Sequence, residues 1–282
     1  MQIVKTIKEI RNEIKRAKSS GKSIGYVPTM GFLHDGHISL IKRAHKENDF
    51  VVVSIFVNPT QFGPSEDYES YPRDLNRDAN LAEKAGADII FAPSVKEMYP
   101  DGFSTYVKVY GNISKKLCGQ SREGHFKGVT TVVSKLFNIV TPDRAYFGQK
   151  DAQQLAIIKK MVKELNYDIE IVPCSIVREK NGLAMSSRNT YLNTEERKAA
   201  LILSKSLFKA KEMIENGENN PEKVRNFIIE NIKTEKLTEI DYVEIVNADT
   251  LDNIDKIKGK VLIALAVKIG QARLIDNIQM EV

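Results

Sequence analysis

Residues 24–44 constrain the fold more than any other stretch of the chain. Ile24-Gly25-Tyr26-Val27 is a short apolar run, Pro28-Thr29-Met30-Gly31-Phe32-Leu33-His34-Asp35-Gly36-His37 follows it, and Ile38, Leu40, Ile41 and Ala44 then recur at helical spacing. A buried strand, a glycine-bearing turn and an amphipathic helix in that order make the repeating unit of a doubly wound α/β fold. Such a turn is expected to aim backbone N–H groups at an anion, and the helix dipole adds ~0.3–1 kcal/mol of attraction for negative charge. Gly31 allows a bulky ligand close to the backbone. The stretch therefore reads as a nucleotide-phosphate site.

The rest of the chain extends this pattern. Ile7, Ile10, Ile14 and Ala17 predict a first helix ended by Ser20-Gly21, and residues 50–57 are β-branched and short enough for a central parallel strand. Residues 58–63 should then lie beyond the carboxyl end of that strand, on the same rim as the turn. A helix from Leu75 to Gly86, a strand at 87–91, a weak strand at 104–110 and a polar loop at 118–126 follow. Val129, Val132, Val133, Leu136, Phe137 and Val140 predict a buried helix. Residues 144–147 read as a strand, Gly148-Gln149-Lys150-Asp151 as a second strand-to-helix turn, and 168–172 as the last strand of this half. From Asn193 the order changes to a long helix through about Asn216, a helix at 221–232, and strands at 240–248, 261–267 and 272–278, the order of a small α+β domain. The expected division is residues 1–178, a Rossmann-like doubly wound parallel sheet, and 179–282, a smaller α+β domain.

His34 and His37, three apart at a helix start, admit three roles. They can be solvated histidines, they can begin a zinc site, or they can donate to phosphate oxygens. Zinc needs a third N/S ligand, and His45, His125, Cys118 and Cys174 do not stand at zinc-motif spacing. Asp78 falls in a first helical turn, where a surface carboxylate compensating the dipole is preferred to a magnesium ligand.

The His-Asp-Gly-His element resembles the HxGH signature of the nucleotidyl-transferase superfamily, and its extended form is similar to that of the pantoate:β-alanine ligase (pantothenate synthetase) family. Asn58-Pro59-Thr60-Gln61-Phe62-Gly63, Tyr71-Pro72-Arg73, Gly124-His125-Phe126-Lys127-Gly128-Val129, Phe147-Gly148-Gln149-Lys150-Asp151 and Met185-Ser186-Ser187-Arg188 each resemble family blocks, in order. The resemblance implies ATP-dependent joining of pantoate to β-alanine through an acyl adenylate, with Mg²⁺ on the phosphates, in a homodimer. It assigns Met30, Gly31, Phe32, Leu33, His34, Asp35, Gly36 and His37 to ATP, together with Gly148, Gln149, Lys150, Asp151, Val177, Met185, Ser186, Ser187 and Arg188. Gln61 and Gln154 go to pantoate, and Gln61 also to β-alanine. The catalytic set it implies is His34, His37, Lys150 and Arg188, with His37 the proton donor. Met185 to Arg188 is similar to a KMSKS loop, with Ala184 at the first lysine position and Arg188 at the last.

Composition narrows the alternatives. Forty-two basic against 37 acidic residues give a net charge of +5, with both signs interspersed. That suits small anionic substrates. The basic segment 5–22 has no aromatic residue, so it reads as a solvated helix face and not as an RNA-binding surface. No apolar run approaches the ~20 residues of a membrane span, and the charged N-terminus does not read as a signal peptide. Cys118 and Cys174 form no paired framework, so free thiols and a cytoplasmic protein are expected. A nucleotidyltransferase acting on a phosphorylated alcohol shares HxGH, but would favour Arg or Lys where Gln61 and Gln154 stand.

Overall fold

The computed structural model describes residues 1–64 and 66–282. Its elements run in the order β1 (Gln2–Val4), α1 (Ile7–Ser19), β2 (Ile24–Thr29), α2 (Asp35–Glu47), β3 (Phe50–Ile55), α3 (Leu75–Lys84), β4 (Ile89–Phe91), α4 (Val95–Met98), α5 (Cys118–Ser121), α6 (His125–Val140), β5 (Arg144–Gly148), α7 (Ala152–Glu164) and β6 (Glu170–Cys174). There follow α8 (Thr194–Ala199), α9 (Leu201–Glu215), α10 (Pro221–Lys233), β7 (Thr238–Asn247), β8 (Lys260–Ile269) and β9 (Ala272–Glu281). Two compact units result. The first comprises Met1–Val109, Arg122–Gln149 and Ile157–Ser175, and the second Tyr110–Ser121, Lys150–Ala156 and Ile176–Val282. The second unit thus takes in two stretches that precede the expected single boundary after residue 178.

The first unit is built on a six-stranded sheet in the order β1-β4-β3-β2-β5-β6, parallel throughout. Val51, Val52 and Val53 are all fully buried, which is why β3 reads as an unbroken apolar run and not an alternation. From β2 the chain winds out to β3 and β4, then returns to β2's other side with β5 and β6. The reversal puts the topological switch point beside β2, so the turns leaving β2 and β3 share the rim where doubly wound sheets bind ligands. Val27, Leu33, Ile41, Val53, Ile90 and Tyr146 belong to the core beneath it.

One expected strand is missing here, and one observed strand was not expected. Residues 104–110 form no strand, because Val107 spends its backbone on side chains of α6: its N–H donates to Thr131 Oγ1 (3.0 Å) and its carbonyl accepts from Thr130 Oγ1 (2.6 Å). The three-residue β1, which pairs with β4, is too short to carry a periodic signal and has no counterpart in the sequence reading.

The second unit carries the antiparallel meander β7-β8-β9. Residues 261–267 of its central strand are all buried, and Leu203, Leu207, Ile228, Val243, Ile263 and Leu265 share one core with α9 and α10. The long helix expected from Asn193 is two, divided at Ala200, where the Leu203 N–H turns to the Ala200 carbonyl three residues back.

Candidate active site

The turn after β2 is held by its own chain. Gly31 (φ +85°) and Phe32 (φ +49°) take left-handed backbone, and a Cβ at Gly31 would lie 2.9 Å from Ile55 Cγ2. Gly31 N–H donates to Thr29 Oγ1 (3.1 Å), while Phe32 N–H and Leu33 N–H donate to the two carboxylate oxygens of Asp78, each at 2.7 Å. Arg77 closes the clamp, donating to the Leu33 carbonyl and stacking its guanidinium over the Phe32 ring at 4.8 Å. The turn's N–H groups are expected from sequence to meet a bound anion; instead an anion from α3 occupies two of them. Asp78 is correspondingly 1% exposed and not a surface residue. Burial pushes its carboxyl above the usual value, against the pull of the Leu33 and Phe32 N–H groups and Arg77.

At the head of α2 stand the two histidines. His34 caps the helix, its Nδ1 accepting from Gly36 N–H (3.1 Å), and His37 Nδ1 accepts from His34 N–H (3.3 Å). An imidazole nitrogen that accepts carries no proton, so each neutral ring keeps its proton on Nε2. The rings lie 4.1 Å apart between centroids, tilted by 34°. Two Nε2–H donors side by side suit adjacent oxygens of one phosphate chain. Asp35 and Gly36 lie in the first turn of the same helix.

Gln61 sits on the neighbouring turn, 8% exposed, in a short 3-10 helix (Pro59–Gln61). Its Oε1 accepts from Asn58 Nδ2 (3.0 Å) and its Nε2 donates to Met30 Sδ (3.1 Å). Asn58 is itself fixed by Tyr99 OH (2.7 Å) and by the Gly128 carbonyl (3.2 Å). Below Gln61 runs a chain of contacts that the sequence does not disclose. His125 Nδ1 meets the Gln61 carbonyl at 2.8 Å, Arg122 Nη1 meets His125 Nε2 at 3.0 Å, and Arg122 grips Glu66 with bonds of 2.6 and 2.7 Å. Burial raises the Glu66 carboxyl, but the Arg122 bonds and charge outweigh it and the net shift is downward. The stretch expected to be a polar loop at 118–126 instead forms α5 and the start of α6, and its Arg122 and His125 steady the backbone of Gln61.

In the second unit, Lys150 lies in the 3-10 turn Gln149–Asp151, and its carbonyl accepts from Asn277 Nδ2 (2.9 Å). Lys150, Ala184, Ser186, Asn189 and Asp276 line one small cavity. Ser186 caps the 3-10 helix Ser187–Tyr191, its Oγ accepting from Arg188 N–H, and Ser187 is buried while Arg188 is half-buried. The Val177 carbonyl accepts from Met185 N–H (3.0 Å). Of two adjacent glutamines at the start of α7, Gln153 is spent on the Ile113 and Lys116 carbonyls and the Cys118 N–H, and Gln154 is the half-buried one. Among the described residues no group of three or more His, Cys, Asp or Glu side chains could hold a metal. Mg²⁺ needs no such cluster, since it is ordinarily held by one or two carboxylates together with substrate phosphate oxygens.

A doubly wound sheet whose switch-point turn ends in paired Nε2–H imidazoles defines a nucleotide-handling protein of the HxGH class. The comparisons narrow the class: the pattern of the family described as Pantoate-beta-alanine ligase matches residues 2–279. The chain is 63% identical over 282 residues to the pantothenate synthetase of Acetivibrio thermocellus, covering all of both chains. It is 61% identical to that of Caldicellulosiruptor saccharolyticus, again over the whole of both. Among solved structures, pantothenate synthetase from Thermus thermophilus superposes with a TM-score of 0.94 at 45% identity, covering 99% of each chain. The pantoate-beta-alanine ligase from Francisella tularensis, complexed with β-γ ATP and β-alanine, has a TM-score of 0.79 at 38% identity, covering 99% of this chain and 97% of that one. The chain belongs to the pantoate–β-alanine ligase family.

Proposed function

We propose that this protein condenses pantoate with β-alanine at the expense of ATP, releasing AMP and pyrophosphate. A carboxylate is a poor electrophile with a poor leaving group, so the pantoate carboxylate first attacks the α-phosphorus and pyrophosphate departs. The amine of β-alanine then attacks the acyl carbon of pantoyl adenylate, and AMP leaves with the former carboxylate oxygen. The observation that carries this assignment is the pair of imidazoles held by Nδ1, because it offers two N–H donors for charge that grows on the phosphates during attack. In the first unit, His37 is the proton donor to departing pyrophosphate, His34 stabilises the phosphoryl oxygens, and Met30 to Leu33 with Asp35 and Gly36 shape the nucleotide site. Gln61, with its amide oriented by Asn58 and Met30, holds pantoate and later β-alanine. A neutral amide orients a carboxylate nucleophile without pairing its charge.

In the second unit, Lys150 and Arg188 supply charge to the phosphates, with Asp151, Met185, Ser186 and Ser187 as further nucleotide contacts, and Gly148 and Gln149 serve the same ligand from the first unit. Val177 meets the adenine through its backbone, and Gln154 faces pantoate. The domain roles follow: residues 1–178 would bind ATP and pantoate, and the segment from 179 would close on the phosphates. Magnesium accompanies the nucleotide and screens phosphate charge. A cytoplasmic homodimer completes the proposal; the two cysteines are free thiols, as that setting requires, and no helix among the described residues is long and apolar enough to cross a membrane. Incubation with ATP, Mg²⁺, pantoate and β-alanine should yield pantothenate and AMP in equal amounts. Formation of ADP, or turnover of a phosphorylated alcohol in place of pantoate, would overturn the assignment.

A further inference from the structure

Asp276 and Asn277 stand on β9, the last strand, far in sequence from every proposed substrate contact. Both are 3% exposed. Arg178 grips Asp276 with two bonds (Nη1 to Oδ2, 2.6 Å; Nη2 to Oδ1, 2.9 Å) and also donates to the Gly182 carbonyl at 3.2 Å. Asn277 N–H donates to Asp276 Oδ1 (2.8 Å), and its side-chain Nδ2 donates to the Lys150 carbonyl (2.9 Å). Two neighbouring residues of one strand therefore hold the Lys150 turn and the hairpin 178–184.

The small cavity beside them sets a few acceptors among apolar side chains. Asp276, Ser186 and Asn189 line it with Lys150. Asn189 Nδ2 donates to Glu179 Oε1 and to the Ala184 carbonyl, which fixes the amide's orientation and leaves its buried Oδ1 without a partner among the described residues. The Lys150 charge is also felt by Asp276, whose carboxyl burial pushes up while Arg178, the Asn277 N–H and Lys150 pull it down. A lysine is a point charge on a flexible four-carbon stem, so its aim must come from its surroundings.

We propose that Asp276 and Asn277 are positioning residues for Lys150, Asn277 by tethering its backbone carbonyl and Asp276 by presenting a fixed carboxylate on the cavity its side chain lines. The proposal rests on the assignment of Lys150 to the ATP phosphates. It gives the C-terminal sheet a part in the reaction beyond packing.

A double-mutant cycle tests it, with steady-state constants for all three substrates in the wild type, Asn277→Ala, Lys150→Ala and the double variant. Asn277→Ala is expected to lower kcat/KM for ATP roughly tenfold, the upper worth of one hydrogen bond, with KM for β-alanine unchanged. In the Lys150→Ala background the same substitution should change kcat/KM for ATP less than about twofold. An equal loss in both backgrounds would make Asn277 a structural staple and overturn the proposal, as would no loss in either. If Lys150→Ala itself is harmless, the assignment of Lys150 falls first and this proposal with it. Asp276→Asn, which keeps the side-chain volume, runs through the same cycle with the same expectation should Asn277→Ala fail to fold.

Discussion

Replacing His37 by alanine removes an Nε2–H donor and an Nδ1 acceptor at once, and the two losses read out differently. The lost donor should cost about 10²–10³ in turnover, as removal of a transition-state contact usually does. The lost acceptor removes the bond that His34 N–H makes at a helix end, about 1 kcal/mol of stability. Lys150→Ala should lose a similar factor in turnover. Stopped-flow or steady-state rates falling less than tenfold in a folded variant would remove that residue from the catalytic set. If the neutral amides face the acid as proposed, Gln61→Ala and Gln154→Ala should raise KM for pantoate well above any change for ATP; equal changes in both constants would show that they only shape the pocket. His34, His37 and Gln61 stand out in the sequence because each lies in a compact local block. Asp78 and the Glu66–Arg122–His125 chain do not, because their partners stand 46 and 45 residues away for the Asp78 bonds and 56 and 64 for the others, and no spacing announces such contacts.

Along α6, Gly128 shows how an element's sequence can serve its neighbour. Alanine in place of a mid-helix glycine ordinarily gains about 1 kcal/mol. Here a Cβ would sit 2.2 Å from the Thr60 carbonyl oxygen and 2.6 Å from Gln61 Cα, both backbone atoms that cannot swing aside. Overpacking of this kind costs about 1–3 kcal/mol, so the net sign should reverse. Gly128→Ala should lower Tm and raise KM for pantoate by displacing Gln61; a more stable variant with unchanged pantoate constants would contradict the packing described. The glycine was visible in the sequence, but its reason was not, because the helix periodicity that predicts α6 says nothing of what crosses it. The same limit explains residues 104–110, where a weak alternation suggests a strand but the threonines of α6 satisfy the backbone of Val107. The long periodic segments β2, α2, β3, α6 and β8 were readable because burial on one or both faces dictates their composition, whereas β1 has three residues and no face to repeat.

For the whole molecule, the Glu66–Arg122 pair links stability to pH with a definite sign. The folded pKa of Glu66 is depressed below the ordinary value of 4.5, so its contribution is present above that value and lost as pH falls through the folded pKa. Glu66→Gln should therefore lower Tm at neutral pH, and the gap to wild type should close in acid; a gap independent of pH would show that the pair is not acting through its charge. The doubly wound sheet and the separate α+β region were both legible from the order of elements, but the recruitment of residues 110–121 and 150–156 into the second unit was not, since chain order does not reveal which segments pack together. The central claim is chemical and concerns the order of bond making at the α-phosphorus. If the phosphate-facing groups serve attack by pantoate, pyrophosphate leaves before any amine is needed, and that half-reaction must run backwards. Labelled pyrophosphate should therefore enter ATP when the protein is given pantoate and Mg²⁺ without β-alanine, and adding β-alanine should divert the intermediate to pantothenate and AMP. Folded protein that makes pantothenate but shows no pantoate-dependent exchange would contradict the adenylate route.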